Sequence, residues 1–144
     1  MTCIHWVMNH SFPFLSLHQA LATLRVGTAL LFMAHAVTRM ANGTIPRFAE
    51  FMTNLGFPQG LVWVWGITAV EIVAGTLLIV GYKTRCAASA LFAIALGGVI
   101  LIHRNNGWFV GEHGTGGSEY SVSLMLALLV VAAADPARMG KDKA

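Results

Sequence analysis

Four long stretches of this chain contain almost no charged side chain, and no other feature constrains the fold as strongly. They cover residues 17–40, 60–81, 86–103 and 118–134. Crossing the hydrocarbon core of a bilayer takes about 20 mostly apolar residues, and a helix satisfies every backbone hydrogen bond there. The sequence therefore predicts an all-α integral membrane protein, a four-helix bundle with antiparallel up-down topology that forms one domain over residues 1–144.

Composition excludes the main alternative classes. The 144 residues are 56% hydrophobic and 10% charged, whereas a soluble domain has about 25% charged residues. The net charge of +3 is not gathered into a basic patch with interleaved aromatic residues, so a nucleic-acid partner is not expected. The two cysteines, Cys3 and Cys86, are too few for a disulfide scaffold. The lipid bilayer is the expected environment.

The segments between the apolar stretches differ in length. Residues 82–85 form a short turn, which forces the second and third spans to be antiparallel. The loop over residues 42–59 contains Pro46 and Pro58, and a short amphipathic helix is predicted over residues 46–55. The loop over residues 103–117 contains five glycines and is predicted to fold back over one mouth of the bundle.

The basic residues predict the orientation. With four spans, both termini lie on the same side as the turn between the second and third spans. Five basic residues fall on that side: Lys83, Arg85, Arg138, Lys141 and Lys143. Three fall on the other: Arg39, Arg47 and Arg104. Because basic residues are enriched on the cytoplasmic side, cytoplasmic termini are expected.

Ionisable side chains within the spans are costly in lipid, so they are expected to face the bundle interior and to have partners. Arg25, His35 and Arg39 lie along one face of the first span, together with Thr28 and Phe32, at steps of three and four residues. Glu71 falls near the middle of the second span. At about 1.5 Å per residue, Arg25 lies roughly 9 Å deep and Glu71 roughly 15 Å deep. A buried Arg25–Glu71 ion pair is therefore predicted, with contact between Glu71 and His35 as the alternative. Such a pair can serve the chemistry of a site or merely neutralise charge and set helix register.

Titratable and aromatic residues gather at the predicted outer ends of the spans. The candidates are His35, His103, Trp108, Glu119 and Tyr120. Reduction of a quinone carbonyl needs a proton donor near each oxygen, so these residues are candidates for a quinone head-group pocket. The alternative is that they are ordinary interfacial residues. Haem ligation through His35 and His103 is a weaker alternative. No metal site, no covalently bound cofactor and no particular catalytic residue is predicted.

Several short motifs together resemble those of a known family. They are Arg25-Val-Gly27 leading to His35 and Arg39, Glu71 followed by Gly75, the turn Gly81-Tyr-Lys-Thr84-Arg85, Asn106-Gly107-Trp108-Phe109, and Gly114, Gly116 and Gly117 before Glu119-Tyr120. In order and spacing they resemble the DoxX family of small four-helix inner-membrane proteins, over about residues 20–134.

The resemblance implies a bacterial-type inner-membrane protein. Some members are the small subunit of a thiosulfate:quinone oxidoreductase or accompany a terminal quinol oxidase, and many have no assigned activity. It implies a quinone-linked redox subunit with a protein partner or a second copy of itself, and the alternative is a non-catalytic structural or accessory subunit. The family often has Lys after Gly at the basic position following the first span, where this chain has Ala36 and Arg39. Because Arg keeps its proton, a proton-relay role at Arg39 is not expected.

Overall fold

The computed structural model describes residues 15–102, 108–109 and 117–134, and within these ranges every regular element is an α-helix. The helices are α1 (Leu17–Ala41), α2 (Ile45–Asn54), α3 (Gly60–Val80), α4 (Thr84–Leu101) and α5 (Ser118–Ala133). The predicted all-α membrane bundle is confirmed. By length and apolar composition, α1, α3 and α4 are each able to cross a membrane.

The helix α5 is apolar but shorter than the other three long helices. Its 16 residues extend about 24 Å at 1.5 Å per residue, slightly less than the usual thickness of the hydrocarbon core. It packs more extensively on α4 than on any other helix, so it belongs to the bundle. That α5 is a fourth membrane span, and that residues 1–144 form one domain, stay predictions.

Local sequence signals account for the helix ends. Ser16 and Gln19 form a capping box at the start of α1, each side chain accepting from the other residue's backbone N–H. Gly81 ends α3 in the left-handed region at φ 79°, a conformation that glycine adopts at little cost. Lys83 at φ 46° completes the turn, so α4 begins at Thr84, two residues before the predicted start of the third span at 86.

The bundle has two distinct ends, which we name after two arginines of α1. The Arg25 end contains the start of α1 and the turn between α3 and α4, because the Arg25 guanidinium lies against Gly81. The Arg39 end contains the end of α1, the helix α2, and the starts of α3 and α5. Because α1 and α3 run in opposite directions, residues near the end of α1 face residues near the start of α3.

The main hydrophobic core lies between α1, α3, α4 and α5. Leu78, Leu91 and Leu128 are completely or almost completely buried in it. Small residues fill much of the remaining interior, and the buried alanines of this cluster are Ala29, Ala74, Ala87, Ala88 and Ala95. Small side chains bring helix backbones close together where lipid provides no hydrophobic driving force for association.

The predicted amphipathic helix after the first span is confirmed as α2. Pro46 stands in its first turn, where the missing N–H costs no hydrogen bond. Ile45, Ala49 and Met52 are buried and form a second core cluster with Val64 of α3. The start of α3 approaches α2 so closely that a Cβ atom at Gly60 would overlap the carbonyl oxygen of Ala49. The α2–α3 contact thus depends on glycine at position 60.

We expect Gly60→Ala to destabilise the protein by about 1–3 kcal/mol, because the new methyl group would displace packed backbone. The new methyl group would overlap the carbonyl oxygen of Ala49 and would also lie 2.6 Å from Thr53 Oγ1. Gly66→Ala in the same helix is the matched control, since a Cβ atom there has no neighbour within 4 Å. Thermal unfolding of the detergent-solubilised variants measures both effects. Equal midpoints for the two variants would contradict the close approach.

A polar cavity at the Arg39 end

Glu71 of α3 is almost completely buried, with 3% of its surface exposed, and it forms an ion pair with Arg39 of α1. Arg39 Nη1 donates to Glu71 Oε2 at 2.8 Å, and Nη2 lies 3.4 Å from Oε1. The side chain of Arg39 is itself 12% exposed. Two full charges therefore meet inside the bundle with two-point geometry, which is the stronger form of this contact.

Two further contacts hold the Arg39 guanidinium in place. Nη1 also donates to Thr68 Oγ1 at 2.8 Å, and the Thr68 hydroxyl donates to the Val64 carbonyl oxygen at 2.8 Å. The Phe48 ring of α2 lies 5.3 Å from Arg39 Cζ, within the range of a cation–π contact. Arg39 thus links α1 to both α2 and α3.

The predicted Arg25–Glu71 pair is wrong, because Glu71 pairs with Arg39. The register of α1 and α3 follows from Gly75, where a Cβ atom would lie 3.5 Å from the Ala29 carbonyl oxygen. Glu71 is four residues before Gly75, so it is level with about residue 33 of α1. Along the axis, Arg25 is then about 12 Å from Glu71 and Arg39 about 9 Å, on opposite sides.

The direction of the side chains, more than the depth of the residues in the membrane, decides which of the two arginines pairs with Glu71. In a helix, Cα–Cβ bonds tilt toward the N-terminus. Because α1 and α3 are antiparallel, Arg39 and Glu71 tilt toward each other, whereas Arg25 and Glu71 tilt apart. The predicted Arg25–Glu71 pair was based on the depths of the Cα atoms alone and did not take this tilt into account. The alternative contact between Glu71 and His35 is not formed among the described residues, because both carboxylate oxygens of Glu71 accept from Arg39.

A cavity of about 730 Å³ lies beside the ion pair. Its polar lining residues are His35, Arg39, Glu71, Tyr120 and Ser121. The rest is apolar, formed on one side by Phe57, Trp63 and Ile67, and on the other by α4 residues that include Ala93, Gly97 and Leu101. A cavity of this size and mixed lining is typical of sites that hold a small organic ligand.

A second cavity, of about 720 Å³, lies next to the first. The two cavities share several lining residues, which include His35, Arg39, Phe48 and Tyr120. The second cavity extends to the exposed side chains of Thr38, Thr44 and Arg47. The cavity therefore continues into a groove between α1 and α2 that reaches the surface of the protein. Arg39 lines both the groove and the cavity.

The structure brings together two of the five predicted quinone-site residues, since His35 and Tyr120 line the same cavity. Trp108 is 53% exposed and outside the cavity lining, and its carbonyl oxygen accepts from the Glu119 backbone N–H at 3.2 Å. Glu119 is next to Tyr120 in α5 but does not itself line the cavity. His103 and most of the glycine-rich loop lie outside the described residues. The alternative of haem ligation through His35 and His103 therefore stays a prediction. Quinone binding itself stays a prediction.

The cavity offers hydrogen-bond donors near a fixed positive charge. A guanidinium carries five N–H groups, and the contacts to Thr68 and Glu71 use three of them. Among the described residues, the other two N–H groups of Arg39 have no hydrogen-bond partner and can donate to a ligand. The imidazole of His35 and the phenol of Tyr120 are further donors on the same cavity. This arrangement can hold and polarise a ligand oxygen.

Arg39 was not predicted as the partner of Glu71 and was not among the predicted quinone-binding residues. The signal was nevertheless present, because Arg39 belongs to the same polar face of α1 as Arg25 and His35. Combining that spacing with the tilt of side chains toward the helix N-terminus would have selected it.

The fold and this site define a class of protein, a helical membrane protein with an internal ion pair beside an amphipathic cavity. The family model of DoxX matches residues 20–104, more than half of the chain. This protein belongs to the DoxX family, as the motifs predicted. The match ends before the Asn106–Tyr120 stretch that formed part of the predicted resemblance.

The chain is also similar to a curated protein of Bacillus subtilis (strain 168) named "Putative oxidoreductase CatD". The two are 30% identical over 127 residues, which cover 87% of this chain and 82% of the relative. No solved structure gives a significant match.

Proposed function

We propose that this chain is a quinone-linked redox subunit of a bacterial inner-membrane oxidoreductase, and that a quinone head group binds in the cavity at the Arg39 end. The main support is that His35, Arg39 and Tyr120 all line one otherwise mostly apolar cavity. An amphipathic cavity suits a ligand with a polar head and an apolar tail. The oxidoreductase name of the relative supports the same reading.

In this proposal the residues have separate tasks. The two available N–H groups of Arg39 bind a quinone carbonyl oxygen and stabilise the negative charge that develops there on reduction. We assign proton transfer to His35, because an imidazole can act as a general acid. Tyr120 donates a hydrogen bond to the head group. Glu71 and Thr68 keep the guanidinium in position.

The electrons in this proposal come from outside the cavity. Reduction of a quinone to a quinol takes two electrons and two protons, and His, Arg and Tyr side chains do not supply an electron pair. We therefore place the electron donor on a partner protein or a soluble reductant. Trp108 and Glu119 do not line the cavity and have no task in this proposal, and His103 stays a candidate from the sequence alone. The Arg25 end, which carries Lys83 and Arg85, faces the cytoplasm together with the termini.

We expect protein purified from native membranes to retain quinone, and His35→Ala to lower the retained amount about tenfold, because a hydrogen bond to a polar head group is lost. His18→Ala is the matched control, since His18 is exposed near the other end of the same helix. Solvent extraction followed by chromatography measures the quinone per mole of protein. Equal retention in the wild type and in His35→Ala, or no quinone in the wild type, would overturn the proposal.

A non-catalytic accessory role is the second candidate. The observation that favours it is that the Arg39–Glu71 pair is satisfied within the protein, with Thr68 as a third partner. Such a cluster can hold α1 and α3 in register without any ligand. Replacement of both members of the pair by apolar residues distinguishes the two candidate functions.

A further inference from the structure

The second arginine of α1 is in a different situation from Arg39. Arg25 Nε is the one buried side-chain nitrogen or oxygen without a hydrogen-bond partner within the described part of the chain. Arg25 forms no ion pair with any of those residues, and Glu71 is paired with Arg39. A partly buried guanidinium without a counter-ion is costly in a membrane protein. Arg25 therefore points to an anionic partner that is not one of the described side chains.

The described acidic residues do not reach this end of the bundle. Glu71 pairs with Arg39, Glu50 lies on α2, and Glu119 lies in the first turn of α5. All three lie nearer to the Arg39 end than to the Arg25 end. Lys83, by contrast, is exposed in the turn between α3 and α4, with its ammonium group 5.6 Å from the Tyr82 ring centroid. Among the residues that the structure places there, the Arg25 end carries cations only.

The C-terminus of α3 holds the guanidinium but does not neutralise it. A Cβ atom at Gly81 would lie 2.8 Å from Arg25 Nη1, so glycine provides the space that the guanidinium occupies. The carbonyl groups at the end of a helix act as about half a negative charge. The Leu77 carbonyl oxygen already accepts from the backbone N–H groups of Gly81 and Tyr82. Most of the positive charge of Arg25 remains to be balanced.

We propose that Arg25 binds the phosphate of an anionic membrane phospholipid at the Arg25 end, between the start of α1 and the α3–α4 turn. The Arg25 side chain tilts toward the N-terminus of α1, and so toward the membrane surface, where lipid phosphates lie. A guanidinium matches a phosphate group in shape and charge. Lys83 adds a second positive charge that attracts an anionic head group. This site is separate from the cavity and does not depend on quinone binding.

Native mass spectrometry of the full-length protein with added phosphatidylglycerol tests the proposal. We expect Arg25→Gln to weaken binding of the lipid about tenfold, as for loss of a hydrogen bond between charged groups. Arg85→Gln is the matched control, because it removes the same charge from an exposed position in the first turn of α4, and binding should stay within about twofold of the wild type. Equal weakening by the two variants would show general charge attraction and overturn the site.

Thermal unfolding separates lipid binding from a purely structural role of Arg25. If the site binds lipid, phosphatidylglycerol raises the unfolding midpoint of the wild type more than that of Arg25→Gln. An equal rise in both proteins would mean that Arg25 only interacts with the end of α3, and would overturn the proposal. Inorganic phosphate is the probe for the other source of this chemistry. If it displaces phosphatidylglycerol at comparable concentration, the site is one for a free oxyanion and the assignment to lipid is wrong.

Discussion

Replacement of Arg39 by alanine will destabilise the protein by roughly 3–5 kcal/mol, because it leaves the charge of Glu71 buried without its partner. Glu71 is 3% exposed, so water does not replace the lost contact. Thr68 would not compensate, since its hydroxyl donates to the Val64 carbonyl oxygen. Denaturation of the solubilised protein by sodium dodecyl sulfate measures the change. Arg25→Ala is the comparison variant, because the sequence-based pairing would make it the more damaging of the two.

The double variant Arg39→Met with Glu71→Leu will recover most of this loss. Replacing both partners of a buried ion pair by apolar residues of similar volume is often neutral or stabilising. If the double variant is no more stable than Arg39→Ala alone, the pair is not the cause of the loss and the prediction is wrong.

The same double variant distinguishes the two candidate functions. If Arg39 binds the quinone head group, the double variant folds but retains no quinone. If the pair serves only to hold α1 and α3 together, the double variant recovers both stability and the wild-type amount of bound quinone. The second result would contradict binding of the head group by Arg39 and would leave the pair a structural role, whereas absence of quinone from the wild type would favour the accessory subunit.

Replacement of Gly97 by leucine will lower quinone retention by about tenfold or more, because relieving overlap with packed atoms costs roughly 1–3 kcal/mol. Gly97 of α4 lines the cavity, and a Cβ atom there meets no other atom within 4 Å. The new side chain would enter the volume that the quinone is proposed to occupy, without displacing the protein. Quinone extracted per mole of folded protein is the measurement.

Gly66→Leu is the matched control for this effect. Gly66 is exposed on α3, and a Cβ atom at this position also has no neighbour within 4 Å. It is not among the residues that line the cavity. We expect the control to retain as much quinone as the wild type. Full retention of quinone in Gly97→Leu would mean that quinone does not bind in this cavity.

The boundaries of the long helices were largely predictable because each depends on local composition. The first predicted span, 17–40, became α1 at Leu17–Ala41, and the second, 60–81, became α3 at Gly60–Val80. The polar face of α1 was also predictable, since it follows from the spacing of Arg25, His35 and Arg39. The DoxX family was predicted from the order and spacing of motifs between Arg25 and Tyr120, and it was confirmed by the match over residues 20–104.

The partner of Glu71 was not a local property. It depends on the register of α1 against α3, which the close approach at Gly75 sets through Met33 and Ala29. A shift of one helical turn between the helices would move Glu71 by about 5.4 Å, a distance comparable to the length of an arginine side chain. The position of Phe48 over Arg39 likewise depends on how α2 packs, and the spacing of residues along α1 carries no information about it.

The amino-acid sequence by itself determined that this chain forms apolar helices with a few charges on their inner faces, because hydrophobicity and helical periodicity act over short distances along the chain. The tertiary structure decided which charges meet, where the cavity opens, and why Arg25 and Arg39 differ. Those outcomes depend on the relative register and direction of helices that are distant in sequence. In an antiparallel pair, the tilt of each side chain toward its own N-terminus turns Arg39 toward Glu71 and Arg25 toward the opposite end of the protein.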